Sequence, residues 1–374
     1  MGKLRVGVIF GGRSGEHEVS LVSATSVIAA LDPGKYDVVP IGITPEGRWI
    51  SSGRALGMLK EKSGQEGEPE QFLVPEPNRK GLVSLNGGGT TSPQSLDVVI
   101  PLVHGTYGED GTLQGLLELA DIPYVGAGVL ASAVGMDKIV QKMVFTTAGL
   151  PVVRYCWAYS SDCRDAPVKV RALVEKTLRY PVFVKPANTG SSVGISKVHS
   201  RKELAPALAL AAEFDRKVII EEGVRDAREI ECSVLGNDNP VASVLGEIVP
   251  SNEFYDYDAK YVDGKSRAII PAPLPAAVAR RVRDYAVRAY RAIDCAGMSR
   301  VDFFVTKRKG RVILNEVNTI PGFTAISMYP KMWEASGVPF RELLDRLIAL
   351  AVERHRDMKA RRTSYTPAKD WFRS

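Results

Sequence analysis

Residues 4–20 read Leu4-Arg5-Val6-Gly7-Val8-Ile9-Phe10-Gly11-Gly12-Arg13-Ser14-Gly15-Glu16-His17-Glu18-Val19-Ser20. The first seven form a nearly continuous apolar run of strand length. That suits a parallel strand covered on both faces better than an alternating surface strand. A glycine-rich turn follows. An amphipathic helix comes next, with Leu21, Ala24, Ile28 and Leu31 on one face, stopped by Asp32-Pro33-Gly34. Two further strands are expected at 37–44 and 96–103. The latter leads through a glycine turn to a helix from about Thr112 to Leu119. This alternation predicts an α/β domain with a doubly wound parallel sheet, whose ligands bind in loops at the strand C-termini.

Outward from this unit, residues 51–95 are rich in Gly, Ser, Pro and Glu and read as an irregular surface insertion. A helix near 136–148 leads to a strand at 152–158, a helix at 167–178 and a strand at 181–185. A glycine loop, a short strand, a helix at 201–213 and a strand at 218–221 follow. Long strands are expected near 227–236 and 240–249, and a helix at about 275–294. A strand pair at 299–306 and 311–317 precedes a last helix at about 340–353. The chain divides as 1–130, an N-terminal α/β domain; 131–225, a central α+β domain; and 226–374, a C-terminal α+β domain with a basic tail. No internal repeat is visible.

The 374 residues are 45% apolar and 25% charged, the balance of a soluble globular chain. No apolar run reaches the ~20 residues of a membrane span, and no signal peptide is read at the N-terminus. Cys156, Cys163, Cys232 and Cys295 lack metal-like spacing and are expected as reduced thiols. Net charge is +6. Part of the excess lies in Arg280, Arg281, Arg283, Arg288 and Arg291. More lies in a tail holding Arg356, Lys359, Arg361, Arg362, Lys369 and Arg373. Interspersed acids and the lack of aromatic platforms favour a solvated helix face and a loose tail over a nucleic-acid surface.

Four clusters carry chemistry. Lys185-Pro186-Ala187-Asn188-Thr189-Gly190-Ser191-Ser192-Val193-Gly194 puts a lysine at a strand end before a loop able to aim backbone N–H groups at phosphate. Alone it is equally a plain turn, and the lysine precedes the glycines, so it is no Walker loop. Arg300-Val301-Asp302 and Asn315-Glu316-Val317-Asn318 place Arg300 with Asp302, and Glu316 with Asn318, on single strand faces. Such hard oxygen donors suit magnesium, although polar alternation also describes the wet face of a sheet. Glu16, after the first strand, is placed to hold a substrate ammonium or merely to favour the helix N-terminus. His104 is placed to reach the same crevice or to be structural. Phe254-Tyr255-Asp256-Tyr257-Asp258-Ala259-Lys260-Tyr261 reads as a mobile water-excluding lid or an ordinary exposed loop.

Together these are the parts of a carboxylate-activating ligase. The chain resembles the D-alanine–D-alanine ligases of the ATP-grasp superfamily across nearly its whole length. The resemblance lies in Gly11 to Ser20, His104-Gly105 with Gly108 to Gly115, Met136-Asp137-Lys138, Lys185 to Gly194, Tyr255 to Tyr261, and Asn315 to Gly322. It implies that Lys138, Lys185 and Ser192 contact ATP phosphates, that Glu221 and Val224 hold adenine, and that Glu229 takes the ribose. It implies two magnesium ions, or manganese, on Asp302, Glu316 and Asn318. Glu16, linked through Ser191 and Tyr261, would hold the first D-alanine. Arg300 and the Gly322 amide would stabilise the oxyanion. Lys260, Ser327 and Met328 would seat the second D-alanine, and His104 would line the substrate crevice. Glu222-Gly223 departs from the bulkier pair expected beside adenine. The resemblance also implies a cytoplasmic homodimer with no nucleic-acid or membrane partner.

Related ligases making D-alanyl-D-lactate or D-alanyl-D-serine are the nearest rivals. The Gly11–Gly15 turn lacks the G-x-G-x-x-G spacing of a dinucleotide-binding dehydrogenase. The retained Arg300, Asp302, Glu316 and Asn318 argue against a non-catalytic nucleotide-binding module.

Overall fold

The computed structural model describes residues 2–62, 70–86, 89–90, 94–190, 192–249 and 267–365. The run Leu4–Gly11 forms β1, with α1 at His17–Ala30, β2 at Tyr36–Ile43 and β3 at Trp49–Ile50. Then come α2 (Ala55–Glu61), four short strands β4–β7 (Glu70–Leu73, Gly81–Asn86, Gly89–Thr90, Gln94–Ser95), β8 (Val98–Pro101) and α3 (Thr112–Leu119). The first sheet runs β3-β2-β1-β8, and β1 pairs in parallel with both β2 and β8. One of its faces packs Val6, Val8, Phe10 and Ile100 against α1; the other packs Ile9, Ile41 and Val99 near α3. Burial on both faces accounts for the unalternating sequence.

The next region holds α4 (Val129–Met136), α5 (Lys138–Thr147), β9 (Tyr155–Tyr159), α6 (Ser160–Asp165), α7 (Pro167–Thr177), β10 (Val182–Pro186), β11 (Ser196–Val198), α8 (Arg201–Phe214) and β12 (Lys217–Glu222). Its sheet, β11-β10-β12-β9, is antiparallel throughout. A third sheet, β15-β14-β13-β16-β17, is also antiparallel. It is built from β13 (Ala227–Leu235), β14 (Val241–Val249), β15 (Arg267–Ile269), β16 (Met298–Thr306) and β17 (Val312–Asn318). Helix α9 (Ala276–Ala292) covers it through Val282, Ala286, Ala289 and Tyr290. Helices α10 (Met328–Glu334) and α11 (Phe340–Lys359) close the described chain. Leu343, Leu344, Leu347 and Ile348 of α11 share a core with β1 and α1, so the C-terminal helix locks onto the first sheet.

Several expectations need correction. Residues 51–95 are not irregular: α2 buries Met58 and Leu59, and β4–β7 form a small antiparallel sheet burying Leu73, Leu82 and Val83. Strands of two to six residues broken by Gly and Pro are too short to show a period. The first helix ends at Ala30 and buries Val27 fully, while Ile28 is only half-buried and Leu31 is already extended. The helix near 136–148 is present as α5, and a further helix, α4, precedes it. They break at Asp137, whose carboxylate accepts from the N–H groups of Ile139 (3.0 Å) and Val140 (3.1 Å) and so caps α5. The last helix runs six residues past 353 because its basic side chains find partners rather than forming a loose tail. Arg354 donates to the Tyr124 carbonyl (3.1 Å), and His355 and Lys359 reach Asp121 at 2.7 and 2.6 Å. The five arginines of α9 are solvent-exposed, as expected; Arg283 donates to the Ala242 carbonyl at the start of β14, and Arg288 and Arg291 donate to the carbonyls of Ala148 and Asp238.

Candidate active site

The glycine turn after β1 is set by sterics. Gly11 and Gly12 take φ of 87° and 101°, and a Cβ at Gly11 would lie 2.2 Å from the Ile43 carbonyl oxygen. The turn delivers Glu16 to a point shared by two other loops. A Cβ at Gly105, after β8, would stand 2.6 Å from Glu16 Oε2, and one at Gly190, after β10, 2.5 Å from the same atom. Ser14 ties the first two loops together, donating to the His104 carbonyl at 2.8 Å and accepting from the Glu16 N–H at 3.2 Å. His104 itself is buried behind them. Its Nδ1 faces the Ile320 carbonyl (3.1 Å), which only accepts, so that nitrogen carries a proton; Nε2 meets Ser23 Oγ at 3.0 Å. Burial opposes charge on this ring, but Glu109 and Glu16 outweigh it and raise its pKa. The Glu109 carboxylate stands 3.4 Å from Nδ1.

The loop after β10 is joined to α5. Lys138 Nζ donates to the Thr189 carbonyl at 2.6 Å, and its backbone N–H to that of Ala187. Ser192, in the same loop, adopts a left-handed φ of 63°. Beneath it lies a buried charge cluster. Glu221, on β12, gives Oε1 to Lys142 Nζ at 2.8 Å and Oε2 to Lys185 Nζ at 2.6 Å. Burial alone would raise the Glu221 pKa; the two ammonium groups outweigh it and hold the carboxyl at about 2. Lys142 also donates to the Asn315 carbonyl at 2.7 Å, and its neighbour Gln141 accepts from the Val317 N–H at 3.0 Å. Helix α5 thus holds the edge of β17. Lys185 is the nearer to the cleft: burial works against its charge, but Glu221 and then Glu316 outweigh it and raise its pKa, with Glu229 adding to them.

The third sheet brings its polar residues to one face through register. Asp302 lies opposite Glu316 on β17 and Glu231 on β13, while Arg300 lies opposite Asn318 and Ser233. Glu229, two residues before Glu231, shares that face. Val301, Phe303 and Val305 point the other way into the core. Arg300 donates from Nε and Nη2 to the two oxygens of Asp302, both at 2.7 Å, and its Nε lies 3.2 Å from Glu231. Asn318 Nδ2 donates to Asp302 Oδ2 at 3.0 Å. Among the described residues no three His, Cys, Asp or Glu side chains are arranged to hold a metal. Asn318 supplies the third oxygen-bearing side chain beside the Asp302–Glu316 pair.

At the far end of β17, Ser327 Oγ accepts from the Thr324 N–H at 3.1 Å and meets Thr324 Oγ1 at 2.7 Å. It stands 3.3 Å from where a Cβ at Gly322 would be. The Met328 side chain reaches the backbone of Gly246 on β14. Val224 follows β12 and is half-buried. The unexpected pair Glu222-Gly223 is explained locally. Glu222 accepts from the Arg179 N–H at 2.9 Å, and Gly223 approaches the Pro181 carbonyl so closely that a Cβ would lie 2.9 Å from it. Ser191, Lys260, Tyr261 and the 251–261 segment lie outside the described residues. Lys142 and Glu231 escaped sequence reasoning. A signal for Lys142 was present, since it lies one helical turn after Lys138, beside the buried positions of α5.

Two antiparallel sheets, one bearing a lysine and a glycine loop and the other a face of carboxylates, together with a parallel-sheet domain offering Glu16, define an ATP-grasp architecture. Comparison with known proteins resolves the family. Residues 5–127 match the family model for the D-ala D-ala ligase N-terminus, and residues 144–349 that for the C-terminus. The D-alanine–D-alanine ligase of Thermoanaerobacter sp. strain X514 is 52% identical over 358 residues, 96% of this chain and 99% of that protein. The solved D-alanine–D-alanine ligase of Coxiella burnetii is 39% identical with a TM-score of 0.82, covering 96% of both chains. The VanG D-Ala:D-Ser ligase of Enterococcus faecalis is 38% identical with a TM-score of 0.83, covering 94% of this chain and 100% of that one. The chain belongs to the D-alanine–D-alanine ligase family.

Proposed function

We propose that this chain joins two D-alanines into D-alanyl-D-alanine at the expense of ATP, supplying a precursor for bacterial cell-wall peptidoglycan. The observation that carries the reading is Lys185. It sits where a buried cation at the glycine loop feels the carboxylates Glu221, Glu316 and Glu229 from two different sheets. A nucleotide polyphosphate is the ligand that uses both a cationic loop and a facing acid set.

In this reading Lys138, Lys185 and the loop N–H groups around Ser192 bind phosphate oxygens, Glu221 and Val224 border the adenine and Glu229 takes the ribose. Glu16 anchors the ammonium of the first D-alanine, with Ser191 and Tyr261 completing that subsite. The carboxylate of this D-alanine attacks the γ-phosphorus, the bond to the β,γ-bridging oxygen breaks, ADP leaves and an acylphosphate forms; the neutral amine of the second D-alanine then attacks the acyl carbon, loses a proton and expels phosphate. The acyl carbon carries an oxyanion in the second step, and Arg300 with the Gly322 amide stabilises it. Ser327, Met328 and Lys260 seat the second substrate's carboxylate, with His104 behind the first subsite.

The donor chemistry of the third sheet fits hard divalent cations. Asp302 and Glu316 face each other across β16 and β17, and Asn318 adds an amide oxygen once its side chain turns over. Two magnesium or manganese ions held there would offset the negative charge of the phosphates. No helix among the described residues is long and apolar enough to cross a membrane. A cytoplasmic location fits both that and a substrate pool of ATP.

The test is phosphate release on mixing the protein with ATP, magnesium and D-alanine, with products separated chromatographically. Release that requires D-alanine and yields D-alanyl-D-alanine supports the reading. ATP turnover indifferent to D-alanine overturns it.

A further inference from the structure

We infer that Lys142 is a positioning residue for the nucleotide. By neutralising one oxygen of Glu221, it leaves the charge of Lys185 available to phosphate. The inference rests on the ATP-binding reading above. Lys142 is 1% exposed, so no ligand touches it, and its ammonium is spent on two oxygens, Glu221 Oε1 and the Asn315 carbonyl. Lys185, the other partner of Glu221, keeps a 12% exposed side chain at the base of the glycine loop.

Charge counting gives the consequence. Two ammonium groups and one carboxylate leave the cluster with a net charge of +1, centred toward the exposed member. Without Lys142, Glu221 and Lys185 form a neutral pair. Both carboxylate oxygens are then free to close on Lys185 and draw it away from the loop. The second bond of Lys142 adds a geometric role. It fixes the carbonyl immediately before Glu316, and Gln141 fixes the N–H immediately after it. One helix thereby sets the phosphate-facing lysine and the edge of the carboxylate-bearing strand in a single frame.

Lys142→Met keeps the length and removes the charge. The expected result is a KM for ATP raised about tenfold or more, the scale of one unit charge in a partly desolvated site, with the KM for D-alanine within about twofold of the wild type. Lys142→Arg keeps a positive charge beside Glu221, so its KM for ATP should stay within a few-fold of the wild type. Should Lys142→Met fail to fold, Lys142→Gln and Lys142→Arg still decide, the first expected to raise the KM for ATP alone and the second to stay near the wild type. Equal rises in both KM values, or a Lys142→Arg enzyme whose KM for ATP lies more than tenfold above the wild type, overturns the inference. Wild-type protein that shows no D-alanine-dependent ATP turnover instead overturns the underlying reading.

Discussion

Glu16 and Gly190 come from different sheets, yet their approach is so close that a single methyl group does not fit between them. A Cβ on Gly190 would lie 2.5 Å from Glu16 Oε2 and 3.1 Å from its Cδ. Gly190 is not among the residues with left-handed φ, so alanine brings a steric conflict there without backbone strain. Gly190→Ala should therefore push the carboxylate off its point. The KM for the first D-alanine should rise about tenfold or more, with the thermal midpoint within a few degrees of the wild type. Gly105→Ala meets the same oxygen at 2.6 Å but also sits at φ 74°, so it should lose stability as well as affinity. Steady-state kinetics and calorimetry on the two variants separate the cases. A Gly190→Ala enzyme with normal D-alanine kinetics would place the first subsite elsewhere.

The Asp302–Glu316 pairing gives a second expectation. Glu316→Gln preserves size and removes one negative charge from the face proposed to meet the phosphates. Turnover should fall about a hundredfold or more, roughly 2.7 kcal/mol of lost transition-state stabilisation. The fold should persist, because Lys142 and Lys185 are anchored by Glu221 rather than by Glu316. Circular dichroism checks the fold, and turnover is measured over a magnesium titration. Near-normal turnover at ordinary magnesium would remove Glu316 from the metal set.

The long elements of this fold were legible because their patterns exceed the noise of composition. The 4–11 run is apolar on both faces, and Arg300 and Asp302, two residues apart with Val301 between them, marked one face of 298–306 as polar before any contact was known. What was not legible depends on partners far away in the chain. The C-terminal helix extends past 353 because Asp121 receives His355 and Lys359, an acid no local pattern connects to that helix. Lys142 drew no reading from the sequence, because its partner Glu221 lies on β12, far along the chain from α5. The 70–95 strands stayed hidden because each is too short to display alternation, and their stability comes from packing Leu73 and Leu82 against the first sheet.

Asp121 also fixes a pH dependence. It accepts Lys80 at 2.8 Å as well as His355 and Lys359, joining the insertion to the end of α11. Burial would raise its pKa, but Lys359, Lys80 and His355 outweigh it and hold the carboxyl well below the ordinary range. The folded value is thus lower than the unfolded one of about 3.9, and folding favours the ionised form. The contribution is complete above about pH 5 and is lost as pH falls through the unfolded value toward the folded one. Asp121→Asn should lower the thermal midpoint by several degrees at neutral pH, and the gap to the wild type should narrow steadily below about pH 4. A gap that stays constant into acid would show that the carboxylate's charge is not what binds the helix.

The last expectation concerns the second substrate, where two solved relatives of similar identity bear different names, one a D-Ala:D-Ser ligase. Ser327 is already committed inside its own loop: its Oγ accepts from the Thr324 N–H and lies 2.7 Å from Thr324 Oγ1. In the reading proposed above, a hydroxyl held in this way is a fixed element of the second subsite's wall, and the Met328 side chain beside it lies over Gly246. A wall of this kind suits the methyl group of D-alanine, whereas the hydroxymethyl of D-serine needs a partner that neither residue readily spares. With equal D-alanine and D-serine, D-alanyl-D-alanine should exceed the mixed dipeptide by about tenfold or more, which asks for only ~1.4 kcal/mol between the two transition states. Ser327→Ala should raise the KM of the second D-alanine while leaving that of ATP unchanged, because its hydroxyl is held by Thr324 in the loop after β17. D-alanyl-D-serine as the main wild-type product would reverse the substrate assignment while leaving the ligase chemistry standing. An ATP KM that rises in step with the D-alanine KM in Ser327→Ala would show that the 322–328 loop serves both ligands.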